Sequence, residues 1–206
     1  MGPLIFSMAL PAMISMIINA LYNIVDSIFV AQYSQSALAA VSLVFPLQTL
    51  VVAIGVGTGV GVNSLIARRL GEKRRLHANS AAEHGVALAV IGGIVFLVLG
   101  FGLSGVFVRA FGAAEDVTVQ AIQYSQIAVG LSIFVMISMM CEKVQQSTGN
   151  MIIPMCQGLA GAIINIILDP LMIFGIGPFP EMGVRGAALA TVIGQIFGML
   201  IGLWGV

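Results

Sequence analysis

Six stretches of this chain run on in apolar residues for long enough to cross a lipid bilayer: about 3–32, 36–67, 79–108, 117–141, 151–175 and 183–206. Roughly 20 mainly apolar residues span the hydrocarbon as a helix. Inside lipid every backbone N–H and C=O must be satisfied by the chain itself, which leaves helices for segments of this length. The pattern predicts an all-α integral membrane protein, a six-transmembrane-helix bundle. Composition agrees: 59% of the residues are hydrophobic and 8% charged, against about a quarter charged in soluble domains.

Short polar connections separate the runs: YSQS, RRLGEKRRLHANS, RAFGAAED, EKVQQSTGN and GPFPEMGVRG. Residues 68–77 hold Arg68, Arg69, Lys73, Arg74 and Arg75 against Glu72. Basic loops stay on the cytoplasmic side, so this loop, the N-terminus and 142–150 are expected inside a plasma (inner) membrane, with 109–116 and 176–182 outside. The formal net charge is zero, so no nucleic-acid partner is expected, and the basic run reads as a solvated, lipid-facing loop. Cys141 and Cys156 form no CxxC or multi-cysteine framework, which argues against a disulfide scaffold or a zinc site. The opening MGPLIFSMALPAM has no basic leader and outruns the apolar core of a signal peptide. It reads as the start of a helix that stays. The last run is still apolar at Val206, as expected of one six-helix unit cut from a longer protein.

A carboxylate at bilayer depth costs a few kcal/mol, so it calls for a partner or a task. Asp26 and Asp169 both qualify. Each lies about six residues before its helix leaves the membrane, and both helices are odd-numbered and cross in the same direction. At 1.5 Å per residue the two carboxyls belong at one depth, in the outer half of the bundle. Ser15, Asn19, Tyr22 and Asp26 follow the spacing of one helical face. Gln157, Gly161, Asn165 and Asp169 recur every four residues along the fifth run. Lipid cannot satisfy such faces, so they must point into a bundle or cavity, where a carboxyl can trade a proton for a cation. Pro170 predicts a kink beside Asp169, and Pro11 and Pro46 predict interruptions of the first two helices.

Other signals carry less. GVGTGVG at 55–61 has the glycine spacing of a phosphate loop but lies inside an apolar run, without the strand such a loop needs. Gly55/Gly59 and Gly57/Gly61 read as small-residue packing faces. The methionines are mostly filler, with Met136, Met139 and Met140 as candidates to line an adaptable pocket. No Ser/His/Asp or zinc-ligand arrangement can be assembled, so no catalytic residues, structural metal or cofactor are expected.

Several segments are similar to one transporter family. PAMISMIINALYNIVDSIFVAQ resembles the first helix of the multidrug and toxic compound extrusion (MATE) family, and GVGVNSLIARRLGEKRR resembles the end of its second helix and the following basic loop. QSTGNMIIPM, NIILDPLMIFGIG and MGVRGAALATVIGQ resemble its fourth-to-sixth helices. The resemblance covers essentially the whole chain. It implies twelve helices in two six-helix lobes, of which residues 1–206 would be the N-terminal one, with the C-terminal lobe as partner. It also implies proton- or sodium-driven export of organic cations and amphiphilic drugs through a cleft of alternating access. A cation site in the N-terminal lobe would fall on Asp26, Asn165 and Asp169, with Thr191 and Asn19 beside it and H⁺ or Na⁺ as coupling ion. Tyr22, Gln157, Met136 and Met139 are candidates for the substrate cleft. Tyr33-Ser34 departs from the Leu-Gly that many members carry there.

The expectation is therefore one lobe of a cation-coupled exporter, embedded in membrane lipid and not an enzyme. A lipid-precursor flippase of the wider superfamily is the alternative. It would be expected to hold pyrophosphate with cationic residues in its cleft, and these helices show none. An intramembrane aspartyl protease would need a GxGD-type motif where this chain has ILDP. A purely structural subunit would tolerate loss of both carboxyls.

Overall fold

The computed structural model describes residues 2–205, with side chains from residue 9 onward; Val206, the expected end of the last span, lies outside the described residues. Eight helices follow in order: α1 Gly2–Tyr33, α2 Gln35–Gly71, α3 Arg75–Gly102, α4 Ser104–Arg109, α5 Glu115–Ala128, α6 Ile133–Ser147, α7 Ile152–Ile173 and α8 Val184–Trp204. The helices α1, α2, α3, α7 and α8 are each long and apolar enough to cross a membrane. The pair α5 and α6, bent by 45° at a short break, supplies a sixth span. The protein is all-helical and passes through the membrane several times.

Packing order follows from where small residues fall. On α8, Gly186, Ala190, Gly194, Gly198 and Gly202 recur every four residues and are all buried. Such a stripe lets a neighbouring backbone approach closely, and α7 lies along it. The far side of α7 takes α1, while α8 also meets α5 and α6. These in turn pack on α2, and α3 closes the bundle against α2 and α6. Ser34, between α1 and α2, caps α2 by accepting from the Ala37 amide at 3.0 Å. Tyr33 stacks at a tilt on Phe174, with 6.3 Å between ring centroids. The Tyr33-Ser34 pair thus turns the chain and pins it to the end of α7.

Three expectations need correction. The run 79–108 is two helices, since the chain turns at Leu103 and restarts as α4. The run 117–141 is broken at residues 129–132 and continues to Ser147. The first two helices are not broken at proline: Pro11 and Pro46 lie inside continuous helices, as Pro170 does in α7. Proline removes one hydrogen bond, but ending a helix in lipid would orphan several more backbone groups.

The break sits instead at Gly130. A Cβ added to Gly100 on α3 would stand 2.5 Å from the Gly130 nitrogen, so two backbones meet there. The Ser125 carbonyl accepts from both Val129 and Gly130, and the Ser132 amide bonds only three residues back, to Val129. These backbone amides of the bend are thereby met locally, as burial requires, while the buried Ser132 hydroxyl has no partner among the described residues.

The two glycine pairs of α2 also divide. Gly55 faces Met139 and Gly59 faces the stem of Lys143, both on α6, whereas Gly57 and Gly61 have nothing within 4 Å. Only the first pair is a packing face within this bundle.

Candidate functional site

Asp169 is fully buried, with 0% of its surface exposed. It reaches that position because α7 is pressed onto α8 at Gly161 and Gly194, where a Cβ on Gly194 would stand 2.7 Å from the Gly161 carbonyl oxygen. One turn above this crossing, Asn165 bridges the two helices. With its amide turned so that both ends are satisfied, Nδ2 donates to Asp169 Oδ2 at 3.1 Å. Its oxygen accepts from the Thr191 hydroxyl and backbone amide, each at 3.2 Å. Thr191 thus fixes Asn165, and Asn165 fixes one oxygen of Asp169.

Asp26 comes from α1, the helix on the other side of α7. Its carboxyl lies close enough to that of Asp169 for each to act on the charge of the other. Its own Oδ1 is buried and has no partner among the described residues. Two carboxylates so placed would repel each other, so the charge states of the two are linked.

Around the pair stand two phenols. Tyr22, one turn before Asp26 on α1, is half-buried and within electrostatic reach of both aspartates. Tyr124 on α5 is buried and feels Asp26, Tyr22 and Asp169, while its hydroxyl accepts from Gln48 Nε2 of α2 at 3.2 Å. Tyr124 and Gln48 were not foreseen. Sequence spacing cannot show a contact across 76 positions, and a Tyr in a modestly polar helix carries no signal of its own.

Other candidates lie elsewhere. Asn19 is exposed above Gly158, and its Nδ2 donates back to the Ser15 carbonyl of its own helix at 3.1 Å. Gln157 is buried between α6 and α8, donating to the Ser138 carbonyl at 2.9 Å and hydroxyl at 2.5 Å. Met136 fills the notch of Gly92, and Met139 that of Gly55. These four are not brought to the carboxyl pair. Among the described residues no three His, Cys, Asp or Glu side chains converge as a metal cluster would require.

Several known proteins are similar to this chain. The MatE family profile matches residues 11–171. The chain is 32% identical over 199 residues to the probable multidrug resistance protein NorM of Thermotoga maritima, covering 94% of this chain and 42% of that protein. It is 30% identical over 198 residues to the FAD transporter of Shewanella oneidensis, covering 93% of this chain and 42% of that one. A solved transporter of the MOP superfamily from Pyrococcus furiosus superposes with a TM-score of 0.90 at 30% identity, over 98% of this chain and 44% of that one. The chain thus spans less than half the length of these relatives.

Proposed function

This chain belongs to the MatE family, and on that premise we propose that it is the N-terminal six-helix lobe of a cation-coupled antiporter that exports organic cations and amphiphilic drugs by alternating access. The closeness of Asp26 and Asp169, from two different helices, carries the reading. With a proton or Na⁺ between the carboxyls, α1 and α7 are drawn together. Release of that charge leaves two carboxylates that repel each other or attract a cationic substrate. Asn165 and Thr191 hold Asp169 in register for the exchange. Na⁺ favours oxygen ligands, and the unpartnered Asp26 Oδ1 supplies one that faces no competing donor.

The exposed polar faces of α1 and α2 support a cleft beside this lobe. Asn19, Asn23 and Ser27 on α1, and Ser42, Thr49 and Thr58 on α2, are exposed and bond back to carbonyls of their own helices. Lipid is a poor neighbour for such faces. They border the cleft shared with a C-terminal lobe, and Tyr22 stands at its inner edge next to Asp26. Asn19 then belongs to the cleft wall and bears on the cation site from one turn away, while Gln157, Met136 and Met139 support that wall from behind. The basic loop 68–77 sets the cytoplasmic side.

The test is ethidium efflux from vesicles bearing the intact protein, with pH and Na⁺ gradients imposed one at a time. Efflux should follow one gradient and collapse in Asp169→Asn. Full gradient-driven efflux in the double variant Asp26→Asn, Asp169→Asn would overturn the reading. A flavin dinucleotide is a second cargo to include, because of the likeness to the Shewanella FAD transporter.

A further inference from the structure

Where α2 and α3 leave the membrane they enclose a groove of about 290 Å³ that has no part in the carboxyl pair. Its floor is apolar, with Val62 and Leu65 from α2 and Leu88 from α3. Its mouth is basic, with Arg69, His77 and His84. A drug-sized amphiphile would fit such a shape, but so would one lipid molecule, and three observations choose between them.

The first is depth. At 1.5 Å per residue, counted from the Gly102 end of α3 at one surface, Leu88 lies about 21 Å along, Gly85 about 26 Å and His77 about 38 Å, while the hydrocarbon is about 30 Å thick. Val62 of α2 packs against Gly85, so it lies near the boundary, with His77 among headgroups. The second is charge. Residues 68–75 hold five of the eight Lys and Arg of a chain with zero net charge. The acid of this turn, Glu72, is already held by Arg69 at 2.9 Å, Arg68 at 3.2 Å and Arg74 at 3.8 Å. Among the described residues Lys73 and Arg75 make no salt bridge, and Arg69 keeps guanidinium donors beyond the one used by Glu72. The third is Leu76, which is 83% exposed between Arg75 and His77. A leucine standing out among cations suits a surface that is charged outside and oily within.

We propose that this groove binds one anionic phospholipid, its phosphate held by Arg69 and His77 at the mouth and one acyl chain laid along Val62, Leu65 and Leu88. Basic pockets between helices at the membrane surface recognise such headgroups by charge, and the planar guanidinium of Arg69 matches phosphate oxygens in pairs. His84 is held to the Ser80 carbonyl through Nδ1, which leaves its other ring nitrogen for the headgroup side.

The experiment is native mass spectrometry of the intact protein, delipidated and then exposed to phosphatidylglycerol or phosphatidylcholine. One phosphatidylglycerol should be retained in preference to phosphatidylcholine by about five- to thirtyfold, the range expected for one to two full basic contacts. Arg69→Gln with His77→Gln should erase the preference. Leu65→Trp, which fills the floor of the groove at an exposed position without touching charge, should weaken retention as well. Arg68→Gln with Lys73→Gln removes at least as much charge away from the groove and should leave retention unchanged. Equal loss in the two charge pairs would mean diffuse attraction and overturn the proposal, as would equal retention of the two lipids. Displacement of the lipid by millimolar inorganic phosphate would also overturn it, since an acyl chain would then add nothing.

Discussion

Gly194 on α8 stands against Gly161 on α7 so closely that a single added methyl on Gly194 would lie 2.7 Å from the Gly161 carbonyl oxygen. Backbone meets backbone, so neither side can yield by changing a rotamer. Gly194→Ala must push the helices apart by several tenths of an ångström, and overpacking of this kind costs about 1–3 kcal/mol. The displacement falls beside Asn165, whose Cβ is 3.5 Å from the same methyl. The variant is expected to melt lower in detergent and to lose coupled efflux more steeply than it loses stability. Melting temperature and gradient-driven ethidium efflux, measured on one preparation, check both halves.

Asn165 is bonded at both ends, to Asp169 and to Thr191. Thr191→Val keeps the shape and removes the hydroxyl, so the Asn165 oxygen loses one of its two donors. A neutral hydrogen bond contributes about 0.5–1.5 kcal/mol net, a loss of roughly two- to tenfold if it is felt fully in the coupled state. Asn165→Ala should cost more, because it leaves Asp169 with one fewer donor in a buried site. The double variant should lose less than the sum of the two, since the residues act in one chain of bonds. Strict additivity in efflux rates would place them in separate roles.

Gly100 and Gly57 form a contrasting pair. A Cβ on Gly100 would meet the Gly130 backbone, while Gly57 has nothing within 4 Å. Gly100→Ala should destabilise by about 1–3 kcal/mol through forced displacement. Gly57→Ala should be neutral or stabilising by up to about 1 kcal/mol within the lobe, from helix propensity alone. Denaturation in mixed micelles distinguishes them.

Lys73 sits at φ 60°, in the left-handed region that costs a side-chain-bearing residue energy. It ends α2 in a Schellman turn, in which the Arg74 amide bonds to the Arg69 carbonyl and the Lys73 amide to that of Leu70. Lys73→Gly should therefore raise stability by about 1 kcal/mol.

The same turn has a pH dependence with a defined sign. The hydrogen bond from Arg69, with help from Arg68 and the charge of Arg74, holds the Glu72 carboxyl below its ordinary range. A group depressed in the folded state contributes above its unfolded value and loses that contribution as pH falls through the folded one. The help this ion cluster gives the turn should persist through the ordinary glutamate range and be lost only at lower pH. Amide exchange at Lys73 and Arg74, followed down in pH for wild type and Glu72→Gln, reads it. In the variant the protection factors should show no such pH step and should match those of wild type at low pH.

What could be read from the chain without its fold was mainly what one helix determines alone. Asp26 and Asp169 share a depth because hydropathy fixes span direction and the helical rise fixes distance from the exit. Their meeting depends on α1 packing along α7, which the four-residue stripe of small side chains on α8 prepares by drawing α7 inward. That stripe was legible at Gly186, Ala190, Gly194, Gly198 and Gly202 but is not polar, so it did not draw the eye. The position of Asn19 depends on a competition that spacing cannot settle, between a distant carboxyl and a carbonyl one turn back. The bend at Gly130 was hidden because hydropathy runs unbroken across it, and its cause, the Gly100 backbone, lies 30 positions away. At Pro11 and Pro46 the complementary reason holds: the missing hydrogen bond is visible in sequence, but the cost of breaking a helix in lipid is not.

The bend at Gly130 also has a mechanical side. A straight rod across the membrane passes a twist applied at one face to the other. The α5–α6 span is cranked by 45°, with its elbow pinned against α3, so turning α5 about its own axis sweeps α6 sideways instead of spinning it. Tyr124 rides on the α5 arm, near the carboxyl pair. Gln145, which donates to the Gly202 carbonyl of α8 at 2.7 Å, rides on the α6 arm. A small rotation beside the aspartates would therefore reach the far end of α8 as a lateral push, changed in direction by the angle of the elbow.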